Sequence, residues 1–298
     1  MSSANEPRLS KAERTALARE KAREIREQQL KKDKRTKQLT IWGVVVAVVA
    51  IIAVVAVIVS TNIRNNAPIA DQGPTPANGN VYGGVTLAAK TDVVKSAPAT
   101  VNIADIAAPT AAPTQGVAAK APGVEAVAGK PVKVVAYIDF ICPICNNFEK
   151  TYGAKLTELR NAGKITVEYR ALGFLDQSST TNYSSRAANA AACVANSSPE
   201  KYSDFFTALF EQQPAEGSAG LPDSKLKSIA TDVGAADISK CVDEKTYRPY
   251  VKYTTQLASA VGVTGTPTVF VDGQQWGIGD SAKVDFAEFL QKIVDAKK

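Results

Sequence analysis

Charged and apolar positions divide the chain into blocks of different character. From residue 10 to 37, Lys, Arg, Glu and Ala dominate, and apolar residues (Leu17, Ile25, Leu30) are sparse. This composition favours helix, and Ser10 and Glu13 have the spacing of a capping box. The apolar positions are too few for a coiled-coil seam. Between Lys37 and Arg64 no residue is charged, and Ile41 to Val59 is almost entirely Val, Ala and Ile. At about 1.5 Å per residue such a run covers the ~30 Å hydrocarbon core of a bilayer. Val and Ile are mediocre helix formers in water, but in lipid every backbone group must bond internally, which forces a helix.

The pattern then dissolves. Residues 64–131 hold 8 of the 15 prolines and one aromatic, Tyr82. Stretches such as Ala107 to Thr114 bury too little apolar surface to offset ordering entropy, which predicts a mostly disordered spacer. As a random coil it spans about 45 Å. Within it, Val81 to Val94 carries Gly83-Gly84, Val85 and Leu87, and is a candidate for an extra strand at a domain edge.

Regular periodicity returns at residue 132. Val132 to Phe140 is an apolar, β-branched run that predicts a buried strand. Phe148, Tyr152, Leu156 and Leu159 then recur at helical spacing. Ile165 to Ala171 predicts a second strand, followed by a long helical stretch that includes the alanine-rich Ala187 to Ala195. Pro267 leads the run Thr268 to Val271, and a proline at a strand start must avoid the ladder and is a candidate for a cis bond. A short strand is expected around Trp276. Phe286, Leu290, Ile293 and Val294 mark an amphipathic closing helix.

Charge changes the picture once it is located. The chain has 298 residues and a net charge of +6. Residues 1–37 hold 12 Lys/Arg against 6 Asp/Glu, and the remainder holds 23 of each. The excess is therefore confined to the N-terminal flank, and the basic balance of the whole chain does not indicate nucleic-acid binding. Lys31, Lys32, Lys34, Arg35 and Lys37 crowd one side of the apolar run and only Arg64 lies close on the other. The positive-inside rule then predicts a cytoplasmic N-terminus and an extracytoplasmic remainder, on the plasma membrane. The charged stretch and the apolar run are both too long for a cleaved signal peptide, which favours an uncleaved anchor. The flank reads as a solvated segment that fixes topology and meets anionic headgroups; a partner-binding helix is the alternative.

Composition also excludes chemistry. The chain contains no histidine. Ser-His-Asp hydrolysis, Cys-His proteolysis and His-ligated zinc or haem sites are ruled out. Acid–base work near neutral pH must fall to a shifted Cys, Asp, Glu or Lys.

All four cysteines, Cys142, Cys145, Cys193 and Cys241, follow the apolar run, where disulfides are permitted. Cys142-Pro143-Ile144-Cys145 stands between the first predicted strand and the first helix, so Cys142 falls near a helix N-terminus. Unpaired N–H groups and the helix dipole there lower a thiol pKa, as a redox-active cysteine requires. A zinc site would want a second C-x-x-C pair or histidines. A purely structural disulfide across so short a loop would contribute little.

From about residue 131 the chain resembles the DsbA-like family of thioredoxin-fold oxidoreductases, most of all its membrane-anchored actinobacterial forms. The residues that carry the resemblance are Tyr137-Ile138-Asp139-Phe140-Ile141-Cys142-Pro143-Ile144-Cys145 with Phe148-Glu149. Lys201-Tyr202, Phe205, Leu209-Phe210, Gln213 and Pro214 are similar to the family's inserted helical domain, and Gly265-Thr266-Pro267-Thr268 to its cis-proline loop. The implied fold class is α/β: a thioredoxin fold with a helical insertion, preceded by one transmembrane helix and a disordered linker. The expected organisation is a charged cytoplasmic segment (1–37), a membrane helix (38–63), a linker (64–130) and the DsbA-type domain (131–298) with its insertion at about 177–262.

The resemblance implies a redox-active Cys142–Cys145 pair, with Cys142 the exposed nucleophile and Cys145 the buried resolving thiol. Thr266 and Pro267 lie against that pair and receive substrate backbone. Glu149 matches an acid that relays a proton to Cys145 where it is buried; an exposed helical Glu is the alternative. Asp139 fits the same pattern, and a strand-end cap fits it equally. Related extracytoplasmic proteins carry a second, structural disulfide. With the C-x-x-C pair local, Cys193 and Cys241 remain for it, and a bond closing that loop stabilises by roughly 4 kcal/mol in the chain-entropy model. Two free buried thiols are the alternative.

The implied activity is introduction of disulfides into exported proteins, with reductase or isomerase chemistry as the alternative and a non-catalytic tethered binding module as a reading of a different class. Implied partners are thiol-bearing exported or unfolded proteins and a quinone-linked membrane reoxidant of DsbB or VKOR type. No cofactor, metal or nucleic acid is called for, and a monomer is expected. The chain departs from the best-known family pattern, in which a histidine precedes the second cysteine. Ile144 stands there and cannot donate to a thiolate. Backbone N–H groups and the helix terminus are left to do so, which predicts a Cys142 pKa below that of a free thiol and a weaker oxidant than the histidine-containing motif gives.

Overall fold

A computed structural model describes residues 11–108 and 117–297. The chain divides into two units at Arg64 and Asn65. Over the described residues the first is one helix, α1, Lys11–Asn65. The charged flank and the apolar run thus form a single rod, which continues without a break through Gly43. Its most apolar window reaches a mean hydropathy of 2.9 and none of that window is buried. Such a helix is long and apolar enough for a single-pass anchor. Ser10, half of the expected capping box, lies outside the described residues.

The second unit is built on a five-stranded mixed sheet. Strands β1 (Gln72–Pro74), β2 (Gly84–Leu87) and β3 (Thr100–Asn102) precede β4 (Val132–Ile138) and β5 (Ile165–Ala171); β6 (Thr268–Val271) and β7 (Gln274–Gln275) follow much later. The order across the sheet is β2-β5-β4-β6-β7. β4 and β5 are parallel and joined through helix α2 (Pro143–Asn161), while β6 returns antiparallel to β4. This is the α/β thioredoxin core that the resemblance implies. β4 is apolar on both faces because helices cover both: Val134, Val135, Ala136 and Ile138 are all fully buried. At the C-terminal end of α2 the chain turns through Gly163, at φ +69°, a left-handed position suited to glycine.

Between β5 and β6 lie five helices: α3 (Tyr183–Ser197), α4 (Tyr202–Glu211), α5 (Asp223–Asp232), α6 (Ser239–Asp243) and α7 (Arg248–Ala260). Helix α3 is the hub, and Ala187, Ala190 and Ala195 are fully buried on it. Its alanines leave room for neighbouring helices to pack close on several sides. Closing helix α8 (Phe286–Ala296) returns Phe286 to the core, where it meets Phe148 with ring centroids 5.0 Å apart.

The spacer reading is corrected over the described residues. β1 and β3 pair antiparallel, and β2 pairs antiparallel with β5 at the sheet edge, as the Val81 to Val94 stretch anticipated. Val85, Leu87, Val101, Ala121 and Val124 are buried. Hydrogen bonds fasten the strap to the helices: Asn78 Nδ2 donates to the Ala195 carbonyl at 2.8 Å, and the Tyr250 hydroxyl to the Asn80 carbonyl at 2.7 Å. Taken alone, this segment buries too little apolar surface to fold. Its few apolar residues are instead spaced to fill the surface of a host domain. Residues 109 to 114 of the proline-alanine stretch lie outside the described residues.

Candidate active site

β4 delivers the motif. The chain leaves the strand at Ile138, turns through Asp139, and enters α2 with Cys142 as N-cap and Pro143 in the first turn. Proline suits that place, because its fixed φ is helical and the missing N–H would be unpaired anyway. The Cys142 amide donates to the Asp139 carbonyl at 3.1 Å, and the Cys142 carbonyl accepts from the Asn146 amide at 3.2 Å. The sulfur therefore sits beside free amides of the first helical turn. Cys142 and Cys145 are both free thiols.

The two thiols are electrostatically opposite. Cys142 is lowered to about 6; the chief cause is the hydrogen bond from the Cys145 thiol, opposed by burial and aided by the Thr266 hydroxyl and the amides of Cys145 and Ile144. Cys145 is driven far up, first by burial and then by the Cys142 sulfur. The expectation of a depressed Cys142 thus holds, while its stated source needs correction. Backbone and helix terminus do not act alone: the partner thiol is the leading donor. Ile144 offers only its amide, and its side chain is 66% exposed.

Exposure needs a second correction. Cys145 is fully buried as expected, but Cys142 retains only 5% of its surface. The Thr266 loop covers it: the Cys142 thiol donates to the Thr266 carbonyl at 3.3 Å. The Thr266–Pro267 peptide is cis. Thr268 then enters β6 opposite Tyr137 of β4, which holds the loop against the motif.

Two residues not assigned to the site complete it. Gln213 Nε2 donates to the carbonyls of Phe140 and Cys142, both at 3.0 Å, and its Oε1 accepts from Asn146 Nδ2 at 2.9 Å. Asn146 also donates to the Phe210 carbonyl at 3.1 Å. The insertion thereby grips the catalytic turn through one amide. Gln213 belongs to the helical signature in the sequence, but nothing local to it indicates a contact 71 residues away.

Glu149 stands one turn beyond Cys145 on the same face of α2. Its carboxyl is buried: Oε2 accepts from the Tyr169 hydroxyl at 3.1 Å and Oε1 has no partner among the described residues. Burial pushes it up to about 7, against the Tyr169 hydrogen bond. Asp139 is fully buried and caps the turn, accepting from the amides of Ile141 at 3.1 Å and Leu175 at 2.9 Å. Burial raises it to about 6. Cys193 and Cys241 form a disulfide that ties α3 to α6, with Cα atoms 6.0 Å apart.

The sequence model of the family described as thioredoxin matches residues 127–296. Among curated proteins, the serine/threonine-protein kinase PknE of Mycobacterium tuberculosis is 31% identical over 150 residues, 47% of this chain and 26% of the kinase. The chain thus spans about a quarter of the length of that relative. Disulfide bond formation protein D of Bacillus subtilis is 25% identical over 146 residues, covering 48% of this chain and 64% of that protein. Among solved structures, reduced DsbA from Mycobacterium tuberculosis aligns at 30% identity with a TM-score of 0.48, covering 62% of this chain and 94% of that one.

Proposed function

The chain belongs to the thioredoxin family, and from that premise we propose that it is a membrane-tethered thiol:disulfide oxidoreductase that introduces disulfides into exported proteins. The observation that carries this reading is the inequality of the two thiols: Cys142 lowered to about 6 at the helix N-terminus, Cys145 fully buried beneath it. A stabilised Cys142 thiolate is a good leaving group and favours the reduced enzyme, which makes the disulfide form oxidising. The Bacillus subtilis relative, by its name, acts in disulfide bond formation.

The reaction starts from the Cys142–Cys145 disulfide. A substrate thiolate attacks the Cys142 sulfur. The Cys142–Cys145 bond breaks, a mixed disulfide forms, and Cys145 departs with the electron pair. Its high proton affinity means that it takes up a proton, and Glu149, one turn away and raised to about 7, supplies it. A second substrate thiolate then attacks the substrate sulfur of the mixed disulfide and Cys142 leaves as thiolate. The substrate loses two electrons and the enzyme gains them. Thr266 offers its carbonyl to an extended substrate backbone, and Pro267 keeps an amide from competing there. A quinone-linked membrane protein returns the pair to the disulfide. The apolar part of α1 anchors the chain, and the cationic cluster from Lys31 to Lys37 holds the N-terminus in the cytoplasm.

Replacing Cys145 with Ala in the full chain tests this reading. The variant accumulates mixed disulfides with exported proteins through Cys142, released by reductant and lost when Cys142 is also replaced. An empty trap sinks the proposal in favour of a non-catalytic module.

A further inference from the structure

A cavity opens on the flank of the active-site helix. It lies between α2 and α4 over the surface of β5 and encloses about 540 Å³. Small-molecule sites span roughly 300–1,000 Å³. Neither Cys142 nor Cys145 lines it. Leu156, Val167, Phe206 and Phe210 supply apolar wall.

Three polar atoms of the lining residues are buried without a hydrogen-bond partner among the described residues: Nη1 of Arg160, Oε1 of Glu149 and Oδ1 of Asn146. Such orphans are rare and costly, most of all on a charged group. Arg160 is only 5% exposed. It lies three helical turns from Glu149 along α2, and the Tyr169 hydroxyl that bonds Glu149 is near enough to act on its charge. The groove is therefore polar at both ends, a cation at one and two acceptors at the other, with an apolar stretch between.

Gly153 lies between those ends and lines the groove. Glycine is the poorest non-proline helix former. A Cβ placed on Gly153 meets only Glu149 Oε2, at 3.5 Å, an ordinary contact. Packing does not demand glycine here. Its effect is to leave space open beside the Glu149 carboxyl.

We propose that this groove binds a small amphipathic carboxylate, its carboxylate on Arg160, its apolar body against Phe206 and Val167, and a hydroxyl or N–H donor at its far end on Glu149 and Asn146. A guanidinium fork matches a carboxylate with two parallel hydrogen bonds. The Asn146 Oδ1 at the other end only accepts, its Nδ2 being held by Phe210 and Gln213, and so requires a donor, which sets the polarity of the ligand. The proposal stands independently of the direction of the thiol reaction.

The probe is 4-(4-hydroxyphenyl)butanoate, titrated calorimetrically into the full chain in lipid nanodiscs with empty discs subtracted. The uncharged amide of the same acid is the control. The acid binds at least about tenfold more tightly than the amide, and Arg160→Met removes that preference. Thr207→Trp, at an exposed position on the rim, fills the groove and abolishes binding without lowering the thermal midpoint. Equal binding of acid and amide, unaltered binding in Arg160→Met, or absence of binding to the wild type at millimolar acid overturns the proposal. Should Arg160→Met fail to fold, Thr207→Trp decides, since retained binding there overturns it equally.

Discussion

The Cys142 sulfur lies 3.3 Å from the carbonyl oxygen of Thr266, 124 residues away, and that contact belongs to the neutral thiol. A thiolate cannot donate to a carbonyl. On ionisation Cys142 must exchange this partner for donors, and the Cys145 thiol leads among them. Cys145→Ala is therefore expected to raise the Cys142 pKa from about 6 by roughly one unit or more, since a hydrogen bond to a charged group contributes about 1.5–3 kcal/mol. Thiolate absorbance or alkylation rate against pH measures it. An unchanged value would mean that the helix terminus suffices.

The same shift links stability to pH. Cys142 has a folded pKa below its unfolded one, so it stabilises the reduced fold above the unfolded value of about 8.5. That stabilisation fades as pH falls through about 6. The disulfide form lacks it. The melting temperature of the reduced protein relative to the oxidised one should thus rise between pH 6 and about 8.5. A difference that stays flat over this range contradicts the assignment.

Glu149 runs the other way. Its folded pKa, about 7, is raised above the unfolded value of about 4.3, so the native state loses stability as pH climbs between them. Glu149→Gln should be more stable than wild type at pH 8, by about 1–3 kcal/mol, and no more stable at pH 4. Turnover should lose its inflection near pH 7 while the Cys142 pKa stays in place. A wild-type pH profile in the variant would remove Glu149 from the proton path.

The motif was legible because its chemistry is local. Cys142 to Cys145 follow a strand and precede a helix, and backbone geometry alone then puts a sulfur among free amides. Pro267 was legible for a related reason, as the residue that a strand start tolerates. Gln213 was not: its grip on Phe140 and Cys142 depends on how the insertion folds back, which no local period encodes. The strap failed for a different reason. Val85, Leu87 and Val101 look too sparse to fold, because the surface that receives them lies elsewhere in the chain.

The disulfide between Cys193 and Cys241 joins two helices of the insertion. Replacing both cysteines with Ala should destabilise the protein to urea by about 2–4 kcal/mol and leave the Cys142 pKa alone. The catalytic turn is nonetheless held by Gln213, which follows α4. Loosening the insertion should therefore slow substrate oxidation at temperatures where the sheet is still folded. Urea unfolding and turnover on the same samples check both parts.

Redox poise follows from what Ile144 does not supply. Donors to the Cys142 thiolate are a thiol, a hydroxyl and two amides, all neutral. A cationic imidazole would do more, because charge-assisted hydrogen bonds are about twice as strong. The expected reduction potential lies between that of DsbA, about −120 mV, and that of thioredoxin, about −270 mV. Equilibration with glutathione buffers measures it. A value at or above DsbA's refutes the argument, and one at thioredoxin's turns the enzyme from oxidase to reductase.

The strap offers the clearest test of where the working domain begins. β2 covers the edge of β5, with Val85 and Leu87 buried beneath it, and Val101 of β3 is buried as well. A fragment beginning at residue 125 discards all three and bares the β5 edge. Each buried aliphatic contributes about 1.5–3 kcal/mol, against which the ordering of the strap must be set. A fragment beginning at residue 65 should then be more stable in urea by at least about 3 kcal/mol. The shorter one should also associate through its open edge, since an unpaired strand is a template for another chain. Equal midpoints and two monomers would return residues 65–124 to the role of a passive spacer.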